Sequence, residues 1–557
     1  MSTLLEGVVP YRQEDVEAYI KKGWWRGMTL GDYMDRAAEM HPDKEAFIDR
    51  ISRYTYGQTR EKVDRLAVGL IKLGIKPLDR VLVQLPNWNE FVFAYFACQK
   101  IGAITVLLIE RYRPFEIDRL IKITGAKAWI LPKKTHKVDF VPIIQDVLKD
   151  HPELKNVITV RGGIDQPGFA SMEALIEEND LTRDNLSLLS QRSPDPLQVA
   201  HMGPTGGTTG EPKIVPRTHN SLASCVEFCS LSWNQHSEDI NMIVGPVGHD
   251  LSFTKGLLGS IITQGTLVFQ ESTDNAEICQ TIEREKVTAI VWVPTLAKRL
   301  LQFDEADQFD LSSLKKMHSG GGASHPDLVK GIMERFKMCF YNGYGGTEGM
   351  TCITRSIDDC DTICCTVGRP TLPHDIYKVV DAEGNALPPN QTGELLIKGP
   401  SVFSGYYNNP EENAKVFDKD GFFRTGDLAR IAENGYITLT GRCKEMINRG
   451  GESISSTEIE KLINLHPQVA AVAVVPMPDP LMGERACAYI ETKGDATLTF
   501  EDVIAFHTEQ KAAVLQLPER IEFIKKMPLT KAAKLDKMAL RKDIESKVKV
   551  ETPECHC

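Results

Sequence analysis

Short, wholly apolar runs, each next to a helix-length segment, recur through the first two thirds of the chain. This alternation restricts the fold more than any other feature. RVLVQLP at 80–86 precedes the long amphipathic segment NEFVFAYFACQKIGA. KAWILP at 127–132 comes after a helix-like stretch, and TAIVWVP at 288–294 follows AEICQTIEREKV. TYGQTREKVDRLAVGLIKLGI carries Val63, Leu66, Ala67, Leu70 and Ile71 at helical spacing. Apolar runs this short read as strands buried on both faces. Strands alternating with helices predict a layered α/β fold with largely parallel sheets. At 557 residues the chain is too long for one core, so several domains are expected.

Near residue 375 the pattern changes. IYKVVDAEGNALPPNQTGELLIKGP reads as strand, turn, Pro-rich turn and strand, and LARIAENGYITLTGR carries an Asn434-Gly435 hairpin turn. A β-rich subdomain is therefore expected at about 375–440. After it, VAAVAVVPMP and EDVIAFHTEQKAAV belong to a segment long enough for a small α/β domain. The expected organisation is a large N-terminal domain of layered α/β subdomains over 1–443 and a small C-terminal α/β domain over 444–557.

Composition narrows the function classes. Net charge is −11, which argues against a sequence-independent grip on nucleic acid or an anionic membrane. No apolar run approaches the roughly 18 residues of a membrane span, and the N-terminus lacks the pattern of a secretory peptide. The 13 cysteines are scattered, with no paired CxxC, so they read as reduced thiols of a cytoplasmic protein. Cys555-His556-Cys557 reads as a tail rather than a metal site.

Five segments carry the chemistry. GPTGGTTGEPK at 203–213 packs four glycines and three threonines before Lys213, with Arg217 close behind. Bare backbone N–H groups, hydroxyls and an ammonium make an anion nest, although a polar surface turn has the same composition. It is not the usual Walker loop, because the chain contains no Gly-Lys pair. HSGGGASHP at 318–326 lets a flat ring lie on bare backbone, or simply turns a strand into a helix. YNGYGGTEG at 341–349 combines an aromatic face at Tyr344, a hydroxyl at Thr347 and a carboxylate at Glu348 that is either solvated or a ligand for a hard cation. In FFRTGDLARI, Asp427 could accept from two ribose hydroxyls or cap its own turn. TGRCKEMINRGGESISSTEIE places Arg442 just before the expected boundary and Gly450-Gly451 just after it.

In this order the segments resemble the AMP-forming adenylating enzymes: acyl- and aryl-CoA synthetases, nonribosomal-peptide adenylation domains and luciferases. PLTKAAKLDKMALR at 528–541 is similar to that family's C-terminal lysine motif. The resemblance runs essentially from end to end. It implies that Thr205, Gly206, Gly207, Thr208, Thr209 and Lys213 hold the β- and γ-phosphates of ATP. Adenine falls to the backbone of Gly320, Gly321, Gly322 and Ala323 with Tyr344. Gly345, Thr347 and Tyr436 complete the nucleotide site, Asp427 and Arg442 take the ribose, and Glu348 takes Mg²⁺. Lys534 bridges the acid's carboxylate and the phosphate. After adenylation the small domain turns about Lys444, withdraws Lys534 and brings Gly450 and Gly451 to the channel for the pantetheine arm of coenzyme A. A nucleotide sensor without catalysis would have no need of Lys534 beside Glu348, Asp427 and Arg442. The expected activity is AMP-forming ligation of a small ring carboxylate to CoA. The alternative acceptor is a carrier-protein pantetheine.

KGWWRGMTLGDYM, IVPRTHN and INRGGESI look most like the 2,3-dihydroxybenzoate-activating branch. Two positions depart from the family pattern. Ala533 stands where glycine usually precedes the lysine, and His249-Asp250 stands where that branch has His-Asn in its acid pocket. His249, Asp250 and Phe253 are the expected pocket residues, with His249 a candidate for the chemistry. An ionised Asp250 accepts and cannot donate. Either it is tied to Lys255 or His249, or its pKa is raised by burial; in each case an ortho-hydroxylated ring loses its donor. Unsubstituted aromatic or alicyclic carboxylates are then expected to be preferred over salicylate and 2,3-dihydroxybenzoate, unless Asp250 merely orients His249.

Overall fold

The computed structural model of the protein describes residues 4–551 apart from 193, 206–211, 323, 444–445, 450–451, 480–481, 495, 510–516 and 532–533. The chain forms two compact units: Met1–Ile376 with Lys398–Gly421, and Tyr377–Ile397 with Phe422–Cys557.

The first unit is built on two sheets whose cores are parallel. The seven-stranded sheet runs, in spatial order, Phe169–Ser171, Asn156–Val160, Ala128–Pro132, Arg80–Val83, Ile104–Leu107, Val199–Thr205 and Lys213–Thr218. Every neighbouring pair is parallel except the last, an antiparallel hairpin. At the centre of the nine-stranded sheet, Thr266–Phe269, Ile240–Ile243, Ala289–Trp292, Lys316–Ser319 and Cys339–Gly345 are also parallel. The apolar runs at 80–83, 128–132 and 289–292 are therefore strands, and their residues from 81, 128 and 289 onward are fully buried. Both faces are covered by helices.

Local signals fix several helix starts. Thr55 caps Tyr56–Lys72 in a reciprocal capping box with Gln58, so the Val63, Leu66, Ala67 and Leu70 face is delivered to the core. The segment after 89 differs from its amphipathic reading. Asn89–Ile101 is buried on every face, with only Glu90 and Lys100 half-exposed. Such a helix lies inside a core rather than on its rim. Glu90 and Lys100 are accommodated because each finds an opposite charge, in Arg161 and in Asp35 with Asp64.

The second unit carries two sheets of its own. Ile376–Val380, Gly393–Lys398, Phe423–Ile431 and Ile437–Arg442 make a four-stranded sheet in chain order. Gly435 supplies the left-handed turn residue of its last hairpin, at φ 81°. In the five-stranded sheet, Gly483–Thr492 lies between Val469–Asp479, antiparallel, and Arg520–Phe523, parallel. Ile459, Ile463 and Val503 cover one face of that sheet, and Leu540 and Ile544 cover the other. No helix among the described residues is long and apolar enough to cross a membrane.

Candidate active site

The glycine-threonine segment joins the two strands of the edge hairpin of the seven-stranded sheet, Val199–Thr205 and Lys213–Thr218. Thr205 stands opposite Lys213 in register, and the Thr205 hydroxyl donates to the Lys213 carbonyl at 3.5 Å. Gly206, Gly207, Thr208 and Thr209 lie outside the described residues. Antiparallel pairing of the two legs delivers Lys213 to the start of the returning strand, where its ammonium pairs with Glu412 and sits 5.0 Å above the Tyr406 ring.

Tyr406 links this hairpin to the acidic turn. Its hydroxyl donates to Glu348 Oε1 at 2.8 Å, so the expected phosphate ligand and the expected cation ligand meet at one tyrosine. Burial, followed by the nearby Glu348 carboxylate, raises the Tyr406 pKa far above its ordinary value and keeps the hydroxyl a donor. A Cβ on Gly346 would lie 2.8 Å from Glu348 Oε2 and 2.5 Å from Met350 Cε, so a side chain there would displace the ends of both. Among the described residues no group of three or more His, Cys, Asp or Glu side chains could hold a metal. One half-buried carboxylate fits a cation that takes its other ligands from water and substrate phosphates, as Mg²⁺ does.

A buried network braces the same turn. Arg217, 1% exposed, donates to the carbonyls of Thr347 at 2.9 Å, Ser221 at 3.2 Å and Ser401 at 2.7 Å. Ser401 returns its hydroxyl to the Gly349 carbonyl at 3.0 Å and to Asp375. Burial pushes the Asp375 carboxyl up to about 7, against opposing hydrogen bonds from Ser401. Gly349 sits at φ 107°, where a Cβ would strike the Ser401 carbonyl at 2.0 Å. Sequence reasoning missed Tyr406, Ser401, Asp375 and Glu412, which lie 26 to 199 residues from their partners. The one local signal was the Gly-Tyr-Tyr run at 405–407.

The glycine run at 320–322 follows the Lys316–Ser319 strand at its carboxyl end, the position where open α/β sheets bind ligands. Gly321 has φ 77°, and a Cβ on Gly320 would touch Leu251 Cδ1 at 3.4 Å and the Gly343 carbonyl at 3.5 Å. Tyr344 and Gly345 end the neighbouring strand, so the two glycine-rich segments are adjacent. Ala323 is outside the described residues. Leu251 opens a π-helix, Leu251–Leu258, immediately after His249 and Asp250. The Leu251 N–H donates to His249 Nδ1 at 3.4 Å, and both His249 and Asp250 are half-buried. Lys255 hydrogen-bonds the Thr351 hydroxyl at 3.2 Å and feels the Asp250 charge. Phe253 is fully buried among Tyr95, His201 and Phe91, with centroids at 4.8, 5.0 and 6.3 Å.

The second unit holds the remaining expected residues. Asp427 and Arg442 face each other in register, and Arg442 Nε contacts Asp427 Oδ1 at 2.8 Å. Asp427 also accepts its place from the turn, its N–H donating to Thr425 Oγ1 at 3.1 Å. Tyr436 stands at the turn end of the same hairpin, away from that rung. Lys534 is exposed beside the Leu529–Leu535 bridge, and its N–H donates to Thr530 Oγ1 at 3.2 Å. Lys444, Gly450 and Gly451 lie outside the described residues.

Comparison with known proteins matches these features. The family described as AMP-binding enzyme covers residues 34–407, and the AMP-binding enzyme C-terminal domain covers 458–534. The chain is 34% identical over 550 residues to a 2,3-dihydroxybenzoate-AMP ligase of Bacillus subtilis, spanning 98% of this chain and 99% of the relative. It is 33% identical to a 2-hydroxy-7-methoxy-5-methyl-1-naphthoate–CoA ligase of Streptomyces carzinostaticus, over 96% of each chain. Among solved structures it is similar to apo MbtA of Mycobacterium smegmatis, with a TM-score of 0.73, 30% identity, and coverage of 97% and 100%. The chain belongs to the AMP-binding enzyme family and is an ATP-dependent acid-adenylating ligase.

Proposed function

We propose that this ligase activates a ring carboxylate as its acyl adenylate and then transfers the acyl group to coenzyme A. The observation that carries the reading is the meeting of Lys213 and Glu348 at Tyr406. There the Lys213 ammonium, read as a phosphate ligand, lies over the tyrosine ring, and the Glu348 carboxylate, read as a cation ligand, accepts from its hydroxyl. The choice of a ring acid is supported by the dihydroxybenzoate and naphthoate ligases to which the chain is similar.

In the first step the carboxylate attacks the α-phosphorus and pyrophosphate leaves. Rate enhancement then rests on alignment and charge neutralisation rather than on a protein nucleophile. Lys213 and the 205–209 loop hold the β- and γ-phosphates. Glu348 holds Mg²⁺, which when bound offsets phosphate charge. The 320–323 backbone and Tyr344 take adenine, with Gly345 and Thr347 beside them, and Asp427 and Arg442 take the ribose hydroxyls; Tyr436, at the turn end of that hairpin, is given no nucleotide contact. Lys534 acts in adenylation only. Lys444 is the pivot that exchanges it for the Gly450-Gly451 channel wall before the thiol attacks the adenylate carbonyl. His249, Asp250 and Phe253 belong to the acid's side of the site. Asp250 offers no donor to an ortho hydroxyl when ionised.

Isotope exchange between pyrophosphate and ATP, driven by a panel of acids, tests the adenylation step. Benzoate, cyclohexanecarboxylate and meta- or para-substituted benzoates are expected to outperform salicylate and 2,3-dihydroxybenzoate. A clear preference for 2,3-dihydroxybenzoate, together with no turnover on free CoA, would favour loading of a carrier protein instead.

A further inference from the structure

Behind the two glycine-rich strand ends lies a polar group that the proposed adenylation steps leave unused. Lys255 is 6% exposed and His318 is 2% exposed. Nearby charge, Asp250 included, favours the Lys255 ammonium, but the hydrogen-bonding capacity of both groups is not filled by the described residues. Among the described residues, the three N–H groups of the Lys255 ammonium meet only the Thr351 hydroxyl, at 3.2 Å, and the Cys229 thiol as hydrogen-bonding partners. Both ring nitrogens of His318 are buried and have no hydrogen-bond partner on any other described residue. Trp233, whose indole N–H is likewise buried and unpaired, packs edge-on to the His318 ring at 5.5 Å.

Other buried cations of this unit set the contrast. Lys316 is paired with Asp239 at 2.6 Å, and Arg217 donates to three carbonyls. An interior polar group left without a full set of partners costs stability. His318 feels the Lys255 charge, so two buried groups with donors to spare lie close together.

Their location says what they adjoin. His318 Cε1 would lie 2.8 Å from a Cβ on Gly343 and 3.5 Å from one on Gly320, so the ring backs directly onto the glycine cradle. Lys255 projects from the π-helix whose first residue, Leu251, touches the same cradle. A π-helical stretch inside a fold often marks a functional position. The Lys255 charge also lowers the His318 pKa, after the larger effect of burial, which keeps that ring neutral, with one donor and one acceptor nitrogen.

We propose that Lys255 and His318 form a recognition site for a hydrogen-bond-accepting oxygen substituent on the acid, separate from the carboxylate that is activated. The ammonium supplies charge and the neutral imidazole supplies one N–H. The group they receive is a ring hydroxyl, a ring carbonyl or a second carboxylate. This rests on the reading of the protein as a ring-carboxylate ligase and names which ring acids it takes. Asp250 disfavours a donor-requiring ortho hydroxyl, so the meta and para positions are the ones this site reads.

The test is pyrophosphate exchange by the full-length protein with benzoate, 3- and 4-hydroxybenzoate, isophthalate and terephthalate, repeated on Lys255→Met and His318→Phe. The wild type is expected to show kcat/KM at least about tenfold higher for one oxygen-bearing acid than for benzoate, the scale of a lost charged hydrogen bond. In Lys255→Met that ratio is expected to fall by about tenfold or more. Benzoate equal to or better than every oxygen-bearing acid on the wild type overturns the inference while leaving the ligase reading intact, whatever the variants do. Equal loss for benzoate and substituted acids in Lys255→Met assigns the lysine to the common carboxylate and also overturns it. No exchange with any ring acid overturns both readings.

Discussion

Replacing Tyr406 with phenylalanine isolates the contact on which the nucleotide site is built. The variant keeps the ring under the Lys213 ammonium at 5.0 Å and edge-on to Phe403 at 4.9 Å. It also keeps the backbone N–H bonded to Asn413 Oδ1 at 2.7 Å. Only the hydroxyl, 2.8 Å from Glu348 Oε1, is lost. A hydrogen bond to a charged group contributes roughly 1.5–3 kcal/mol. Glu348 is half-buried, so water partly replaces the donor and the low end applies, about 1.5 kcal/mol. Since about 1.4 kcal/mol is a factor of ten, kcat/KM for MgATP should fall by roughly tenfold. The Mg²⁺ concentration giving half-maximal exchange should rise, because Glu348 loses the Tyr406 donor. KM for the acid should stay within about twofold on this reasoning, as no pocket residue is touched. Pyrophosphate exchange titrated separately in Mg²⁺, ATP and acid measures all three. An unchanged Mg²⁺ dependence, or a loss confined to the acid KM, would refute the placing of Glu348 at the cation.

Two further outcomes follow from buried charge and from the division of labour between the steps. Asp375 has its carboxyl raised to about 7, so the folded protein holds a proton there that the unfolded chain releases near its ordinary value of 3.8. Its contribution is complete at low pH and declines as pH rises through about 7, by at most roughly 1.4 kcal/mol per pH unit. Thermal unfolding of the wild type should therefore lose ground to Asp375→Asn between about pH 5 and 7.5, and parallel curves for the two proteins would show that Asp375 ionises normally. Lys534→Ala should slow adenylation by about a hundredfold or more, the scale of one transition-state charge donor. Thioester formation from supplied adenylate should be nearly unaffected, whereas equal losses in both half-reactions would remove the case for a lysine that serves only the first.

Much of this was legible in the residues, because the signals were local. The strands at 80–83, 128–132 and 289–292 announce themselves as apolar runs, and the Asn434-Gly435 turn marks its hairpin. The 203–213 loop reads as an anion nest through its own composition, and the hairpin whose strands it joins carries Lys213 as its first returning residue. Asp427 and Arg442 could be named singly, but their pairing is a matter of strand register, visible only once the hairpin is formed. The Arg217–Ser401–Asp375 network joins positions up to 184 residues apart. No pattern in one stretch of sequence encodes such a contact. The helix at 89–101 misled for a related reason: two charged residues gave it an apparent polar side, while their partners lie elsewhere in the chain. His318 opens the 318–326 glycine segment and Lys255 follows the 249–253 pocket residues, but neither shows in the sequence that it is buried with hydrogen-bonding capacity unfilled.

The central claim is that one chain carries a ring carboxylate through an adenylate to a CoA thioester. Mass spectrometry of a complete reaction, containing MgATP, free CoA and the acid most active in exchange, tests it directly. The account predicts acyl-CoA accumulating in equal amount with AMP and pyrophosphate, and adenylate building up when CoA is omitted. Adenylate that persists unchanged in the presence of free CoA would contradict it.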